Sequence, residues 1–524
     1  MNSNTKSYDA IVIGTGLTGS WATKELSESG MKVVALDAGP LLDDSFFINK
    51  WKSHELLTAS GLKLALKSFF PRNYSENGAL IHRYNNDVYF NNDLSPLSSS
   101  NLLFDWRRTR LVGGRGHIWG RVSPRYTDEE FFCSSRRGIG VDWPISLKDL
   151  EKYYDIAEEL MKVSGQGSSR SRSMNERSLN DYEKQLANII EGTWPNRFFD
   201  SKPVADYPEG SLSPMLERAM ATKNVTLLPN SIVSKINTYK NGLASGIEYI
   251  NTDSKKTFSI KSDIVVLAAS PFESIKLLLS SRSKYFPEGI GNTSNFLGRY
   301  ILEHIMSQYH AVLPKNFYTK NITNQLNPFK PNSEPSGFYI KPFRKYENSN
   351  LDYIGQFGIQ GGISVMTKSL YMMSWGEMIP NPDNQITLNY DKKDKWGLPT
   401  INISFNWSDN EKSMWKDQNK SLNEISEKFQ NNIDSKIKVS KKSVNPILGS
   451  AHECGGIRMG SDISNSVIDP FNRIWGSPNI IVCDSSCFPS IGYQNPALTT
   501  IAIAIRASQN ISKVALSSNS LQNL

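Results

Sequence analysis

The chain has 524 residues, 39% hydrophobic and 21% charged, with a formal net charge of +8. This is a soluble globular composition, long enough for a large core and roughly two to four domains. No run approaches the roughly 18 apolar residues of a membrane span. Lysine and arginine are scattered rather than striped, which argues against a nucleic-acid partner.

The opening residues, MNSNTKSYDA, lack the apolar core of a secretory signal. They point to a cytoplasmic location, with export beside a signal-bearing partner left open. The four cysteines, Cys133, Cys454, Cys483 and Cys487, contain no CxxC pair and fit no disulfide framework. No metal or iron–sulfur site is expected from them.

Residues 8–39 read YDAIVIGTGLTGSWATKELSESGMKVVALDAG. The run AIVI predicts a buried parallel strand. It enters Gly14-Thr15-Gly16-Leu17-Thr18-Gly19, a GxGxxG, followed by a helical stretch that stops at Gly30. A second strand, KVVALD, ends in Asp37, 23 residues after Gly14. Strand, glycine turn, helix, strand and acid together form a dinucleotide-binding unit. Gly14 permits the turn, Gly16 lets the backbone approach a pyrophosphate, and Gly19 lets helix and strand pack. The helix start offers free N–H groups to the anion, and Asp37 can accept from ribose hydroxyls. The unit alone does not choose between FAD and a nicotinamide, though its position at the N-terminus favours FAD.

Residues 41–108 form a long insertion whose LKLALKSFF fits core burial better than a lid or partner-facing helix. A second glycine loop, TRLVGGRGHIWG, spans 109–120. Arg110 and Arg115 there could face phosphate, but a tight surface turn accounts for the loop equally well. The polar stretch 164–180 reads as a mobile loop. Short strands fill 224–250. Then KSDIVVLAASPFESIKLLLSS predicts a buried strand and a helix, with Ala268, Ala269 and Ser270 at the strand end, where open α/β sheets place ligands.

From 306 to 444, stretches such as SGFYIKPF and NQITLNY suggest a sheet, with a helix around 409–433. Near the C-terminus, SAHECGGIRMG holds His452, and from its own residues a metal ligand, a base and a structural histidine all remain open. Further on, an apolar strand (NIIVCD) leads to Asn495-Pro496 and a helix. Proline suits the first helical position and asparagine the cap, so a plain cap explains Asn495 from the residues alone.

In this order, these features resemble the glucose–methanol–choline (GMC) family of FAD oxidoreductases. Supporting stretches are GVDWPISLKDLEKYYDIAEE (140–159), SNFLGRYILEH (294–304) and EMIPNPDNQITLNYDKKDKWGLP (377–399). They resemble in particular the branch acting on sugars, sugar acids and glycosides, near pyranose oxidase and bacterial sugar dehydrogenases. The resemblance implies an α/β fold: a Rossmann-like FAD-binding domain with a parallel sheet, and a discontinuous α+β substrate domain with an antiparallel sheet. The FAD domain would take 1–150, 205–305 and 445–524, and the substrate domain 306–444.

The resemblance also implies contacts. Asp37 would hold the adenosine ribose and the Val233 backbone would meet the adenine. Arg110, Gly113, Gly114, His117 and Trp119 would line the flavin, with Ala269 at the strand end. Asp484, Ser485 and Pro496 would complete the cofactor site. In pyranose oxidase a histidine directly before the loop's tryptophan carries the flavin covalently. Here that position is Ile118, so non-covalent FAD is expected.

His452 and Asn495, 43 residues apart, match the family's catalytic pair. A neutral imidazole can take an alcohol's O–H proton. An amide cannot, but can orient the substrate oxygen. His304 is expected to be structural, and His54, His82 and His310 ordinary. Cys454 is expected to be packing and Glu453 a surface residue.

The function expected is oxidation of a secondary hydroxyl of a sugar, glycoside or polyol, with electrons passing to a non-oxygen acceptor. The alternatives are an oxidase releasing peroxide and a non-redox flavin-bound lyase or binding protein. The acceptor is not indicated, and a homo-oligomer or small partner subunit stays open.

Overall fold

The computed structural model describes residues 8–45, 97–99, 106, 108–165, 178–206, 212–313, 337–344, 351–364, 369–432, 440–443 and 452–517. LKLALKSFF, His54, His82 and residues 166–177 of the expected loop lie outside these. The architecture is mixed α/β, with one largely parallel sheet and separate antiparallel sheets.

The parallel sheet is built from distant parts of the chain. Its spatial order is Arg473–Ile474, Ser477–Val482, Val265–Leu267, β1 (Ala10–Ile13), β2 (Val33–Leu36) and Val225–Leu228. All neighbours run parallel except the first pair. Ala10–Ile13 and Val33–Leu36 are buried at every position, as strands covered on both faces must be. The helix α1 (Leu17–Glu28) covers one face and packs on the C-terminal helix Ala497–Ser517 and on Pro214–Ala221. β2 lies on one side of β1 and Val265–Leu267 on the other. The chain therefore changes direction across the sheet at the end of β1, where such sheets open a ligand crevice.

The second six-stranded sheet runs Ser440–Ser443, Ile305–Val312, Ser369–Gly376, Phe357–Ser364, Phe338–Arg344, Phe198–Ser201. Every described pairing in it is antiparallel. Alternate residues divide its faces. Phe338, Ile340, Ile359, Ile363, Leu370 and Met372 enter a core with Met414, Leu422, Ile425 and Phe429. Those four lie on the helix Asp409–Asn432, within a turn of the expected bounds. Among the described residues no helix is long and apolar enough to cross a membrane.

Candidate active site

The crevice at the end of β1 has the shape a dinucleotide needs. A Cβ at Gly14 (φ +92°) would lie 2.4 Å from the Ala268 carbonyl oxygen and 2.9 Å from the Ala269 Cα. A Cβ at Gly19 would lie 1.9 Å from the Gly14 oxygen, so helix and turn touch backbone to backbone. A Cβ at Gly16 would meet nothing within 4 Å. That open side, at the start of α1, is where an anion can approach free N–H groups. Leu17 and Thr18 form the first turn of the helix.

Asp37 closes the crevice. Its Oδ2 accepts from the Thr15 N–H (3.0 Å) and hydroxyl (2.6 Å), and its Oδ1 from the Gly39 N–H (3.0 Å). Burial raises its pKa and these bonds oppose the rise. The Ser231 N–H donates to the Asp37 carbonyl at 2.7 Å, which brings the strand carrying Val233 alongside.

The second glycine loop lies on the first, so it is no isolated surface turn. The Gly113 N–H donates to the Thr15 hydroxyl at 3.3 Å, and a Cβ at Gly114 would lie 3.2 Å from the Gly16 Cα. His117 folds back on this loop, its Nε2 donating to the Val112 carbonyl at 2.7 Å. Trp119 packs half-buried against the main core. The two arginines offered for phosphate are engaged with carboxylates instead. Arg110 and Arg108 pair with Glu273. Burial pushes Glu273 up, but the neighbouring cations win and hold it well below the ordinary carboxylate range. Arg115 grips Glu453 with both terminal guanidinium nitrogens, one at 2.8 Å.

That last pair corrects the expectation for Glu453. It is buried, not at the surface. It fastens the second glycine loop to the segment carrying His452, as does its carbonyl, which accepts from the Ser485 hydroxyl at 2.7 Å. Asp484, next to Ser485, accepts from the Ser274 hydroxyl at 2.5 Å and from the Ser486 N–H at 3.1 Å. Burial raises its pKa too. Cys454 is fully buried, and its backbone exchanges 2.9 Å hydrogen bonds with Leu302 in both directions. This bridge brings Glu303 and His304 to His452.

His452 therefore has partners that sequence spacing did not supply. Its Nδ1 lies 2.8 Å from His304 Nδ1, and its Nε2 lies 3.2 Å from the Asn495 side-chain nitrogen. Its N–H reaches both Glu303 carboxylate oxygens at 3.0 Å. The Trp375 ring stands 4.5 Å from its ring. Burial holds the imidazole well below its ordinary pKa, and His304 and the Arg115 cation add to the depression. It is thus neutral at physiological pH. Asn495 spends its side-chain nitrogen on His452 and leaves a buried Oδ1 without a partner, which is not how a plain cap behaves. Pro496 follows, and its carbonyl accepts from the Thr500 N–H at 2.9 Å. Glu303, His304 and His452 also place potential metal-ligand atoms within 4.8 Å of one another.

A neutral imidazole and an amide thus sit beside a double glycine cradle. Residues 380–504 match the family model described as GMC oxidoreductase. Over this stretch, about a quarter of its length, the chain is similar to the GMC oxidoreductases. It is 25% identical to the 2-methyl-1,2-propanediol dehydrogenase of Mycolicibacterium austroafricanum, over 98% of this chain and 96% of that one. It is 23% identical to the fructose dehydrogenase large subunit of Gluconobacter japonicus, over 98% and 99%. A formate oxidase from Aspergillus oryzae shares the fold with a TM-score of 0.66 at 13% identity, over 98% of this chain and all of the other.

Sequence reasoning missed the closeness of His304, Glu303 and Trp375 to His452. The acid–histidine pair in LEH was a signal for the first two. For Trp375 nothing in the sequence marked it out from other strand tryptophans.

Proposed function

We propose that this protein is an FAD-dependent dehydrogenase that oxidises a secondary hydroxyl of a sugar, glycoside or polyol. The acceptor in this reading is not oxygen. The observation that carries it is the Arg115–Glu453 pair, which ties a neutral, partly accessible His452 to the glycine loop lying on the dinucleotide crevice. The first-named relatives are dehydrogenases of a diol and a sugar, which supports the substrate class.

The open side of Gly16 and the paired glycine loops fit a dinucleotide. Gly14, Thr15, Gly16, Asp37, Arg110, Gly113, Gly114, Trp119, Val233, Ala269, Asp484, Ser485 and Pro496 would hold FAD. Its flavin, when bound, supplies the hydride acceptor. The attachment is non-covalent in this reading, because Ile118 precedes Trp119 and His117 Nε2 is committed to the Val112 carbonyl. His452 Nε2 takes the hydroxyl proton. The Asn495 amide, with a second N–H and a free Oδ1, holds the substrate oxygen in line and stabilises alkoxide charge. Trp375 closes one side of the imidazole and limits water.

His452→Ala should keep its flavin and lose about 10²–10⁴ in anaerobic flavin-reduction rate, the magnitude of a lost general base. Near-wild-type reduction by that variant would remove the assignment. A second reading, an oxidase, is favoured by relatives such as the paromamine 6'-oxidase of Streptomyces fradiae. Stoichiometric peroxide during turnover in air selects it over the dehydrogenase. Failure of any alcohol in a broad panel to bleach the flavin would favour a non-redox role.

A further inference from the structure

The mechanism needs a bare Nε2 on His452, yet a neutral imidazole carries its proton on either nitrogen. Three contacts decide which. His304 Nε2 lies 2.6 Å from the Gly492 carbonyl, and a carbonyl only accepts. Nε2 of His304 therefore bears a proton. His304 is 2% exposed, and its ring nitrogens meet only neutral groups, the carbonyl and the other imidazole. The nearby Glu303 carboxylate accepts from backbone, from the His304 N–H at 2.9 Å and the His452 N–H at 3.0 Å. Neither hydrogen bond at the ring is to an anion, and burial takes the His304 pKa down to about 4.

A neutral ring protonated on Nε2 has a lone pair on Nδ1. The facing nitrogen, His452 Nδ1 at 2.8 Å, must then be the donor. That places the His452 proton on Nδ1 and leaves its Nε2 bare, beside the donating amide of Asn495. The same accounting explains the cluster of potential metal ligands. Its two nitrogens share one proton, and its carboxylate holds two peptide N–H groups.

We propose that His304 is the positioning residue that fixes His452 in its Nδ1–H tautomer and so presents Nε2 to the substrate. This rests on His452 being the base. The orienting group is neutral, where a carboxylate is the common choice. A carboxylate would stabilise the imidazolium, whereas His304 sets the tautomer without raising the base's pKa.

The test compares three replacements in the flavin-loaded protein. Asparagine keeps an acceptor near the Nδ1 position, glutamine keeps a donor towards Gly492, and leucine keeps neither. Flavin reduction should fall about 10²-fold or more in His304→Leu and His304→Gln, and recover at least tenfold in His304→Asn. Substrate affinity, from the concentration dependence of reduction, should stay within about threefold. Nitrogen NMR of ¹⁵N-histidine-labelled wild type should show His452 protonated at Nδ1 and bare at Nε2. The resonance is assigned by its loss in His452→Ala.

The NMR result stands whether or not His452 proves to be the base, so the two ideas fail separately. An Nε2-protonated His452 overturns this proposal, as do equal rates in the asparagine and glutamine variants. So does a stoichiometric metal ion in the purified protein that is lost with activity in His304→Leu. If His304→Leu does not fold, the asparagine–glutamine comparison and the NMR carry the same decision.

Discussion

The crevice at the end of β1 and the surroundings of His452 are built in different ways. In the crevice, contacts are backbone to backbone and close in sequence: Gly19 touches Gly14, and Thr15 bonds Asp37, 22 residues away. Around His452, contacts are side chain to side chain and remote. His304 meets His452 across 148 residues and Arg115 meets Glu453 across 338. A turn built to approach a pyrophosphate has generic requirements, and they repeat as a motif. The base proposed here needs one proton in one place, and in that reading it is arranged by neighbours particular to this fold.

The sharpest way to break this comparison is at the glycines, where the largest effects are expected. Gly19→Val would drive a branched side chain into the Gly14 carbonyl, 1.9 Å from where its Cβ must sit. The loss should be about 4 kcal/mol or more, seen as insoluble or flavin-free protein. Gly16→Ala has open space at its Cβ and an ordinary φ of −62°. It should leave the melting temperature of flavin-free protein almost unchanged, within about 0.5 kcal/mol, while flavin content falls. Full flavin retention in Gly16→Ala would mean that Gly16 is not the surface the cofactor approaches.

The same contrast explains what was legible in the sequence. AIVI, the GxGxxG and Asp37 follow local rules, so the parallel strands and α1 appear where periodicity put them. The helix Asp409–Asn432 was visible for the same reason. His452 and Asn495 were found through family resemblance, since a lone histidine and an Asn-Pro cap carry no chemistry by themselves. Glu453 was misread because its partner is 338 residues away. Polarity suggests surface only until a buried counter-charge is known. The contact of His304 with His452 was not legible because it depends on the Leu302–Cys454 bridge, a tertiary pairing with no local pattern.

Arg115→Met sharpens the remote half. It leaves Glu453, whose side chain is 4% exposed, without its counter-charge. Breaking such a pair from one side costs about 3–5 kcal/mol, and replacing both partners by apolar residues recovers most of it. Chemical denaturation of Arg115→Met, Glu453→Met and the double variant measures this. Equal loss in all three would show that the pair packs rather than pairs.

Acid titration gives a somewhat smaller effect. His304 has a folded pKa of about 4, below the unfolded value near 6.5. Between those values the unfolded chain binds the extra proton. Its contribution to stability is therefore complete above about pH 6.5 and lost as pH falls towards 4, by about 3 kcal/mol. His452 acts in the same direction. Denaturation midpoints at pH 7, 5.5 and 4.5 should fall less steeply in His304→Asn than in wild type.

The smallest effect tests the antiparallel sheet. Lys341 is 8% exposed, and its ammonium has no hydrogen-bond partner. The Tyr339 ring lies 4.9 Å away. Burial lowers the Lys341 pKa to about 8, with Asp200 and Glu130 resisting. A buried cation so poorly compensated gives the fold little, so Lys341→Met should stabilise by about 1 kcal/mol at neutral pH. Between pH 8 and the unfolded value near 10.4 the wild type sheds its proton on folding, and its stability rises with pH. The advantage of methionine should therefore be full below pH 8 and shrink above it. A destabilised Lys341→Met at pH 7 would show that the ammonium has a favourable role in the fold. The sheet would then depend on side-chain chemistry as specific as that around His452.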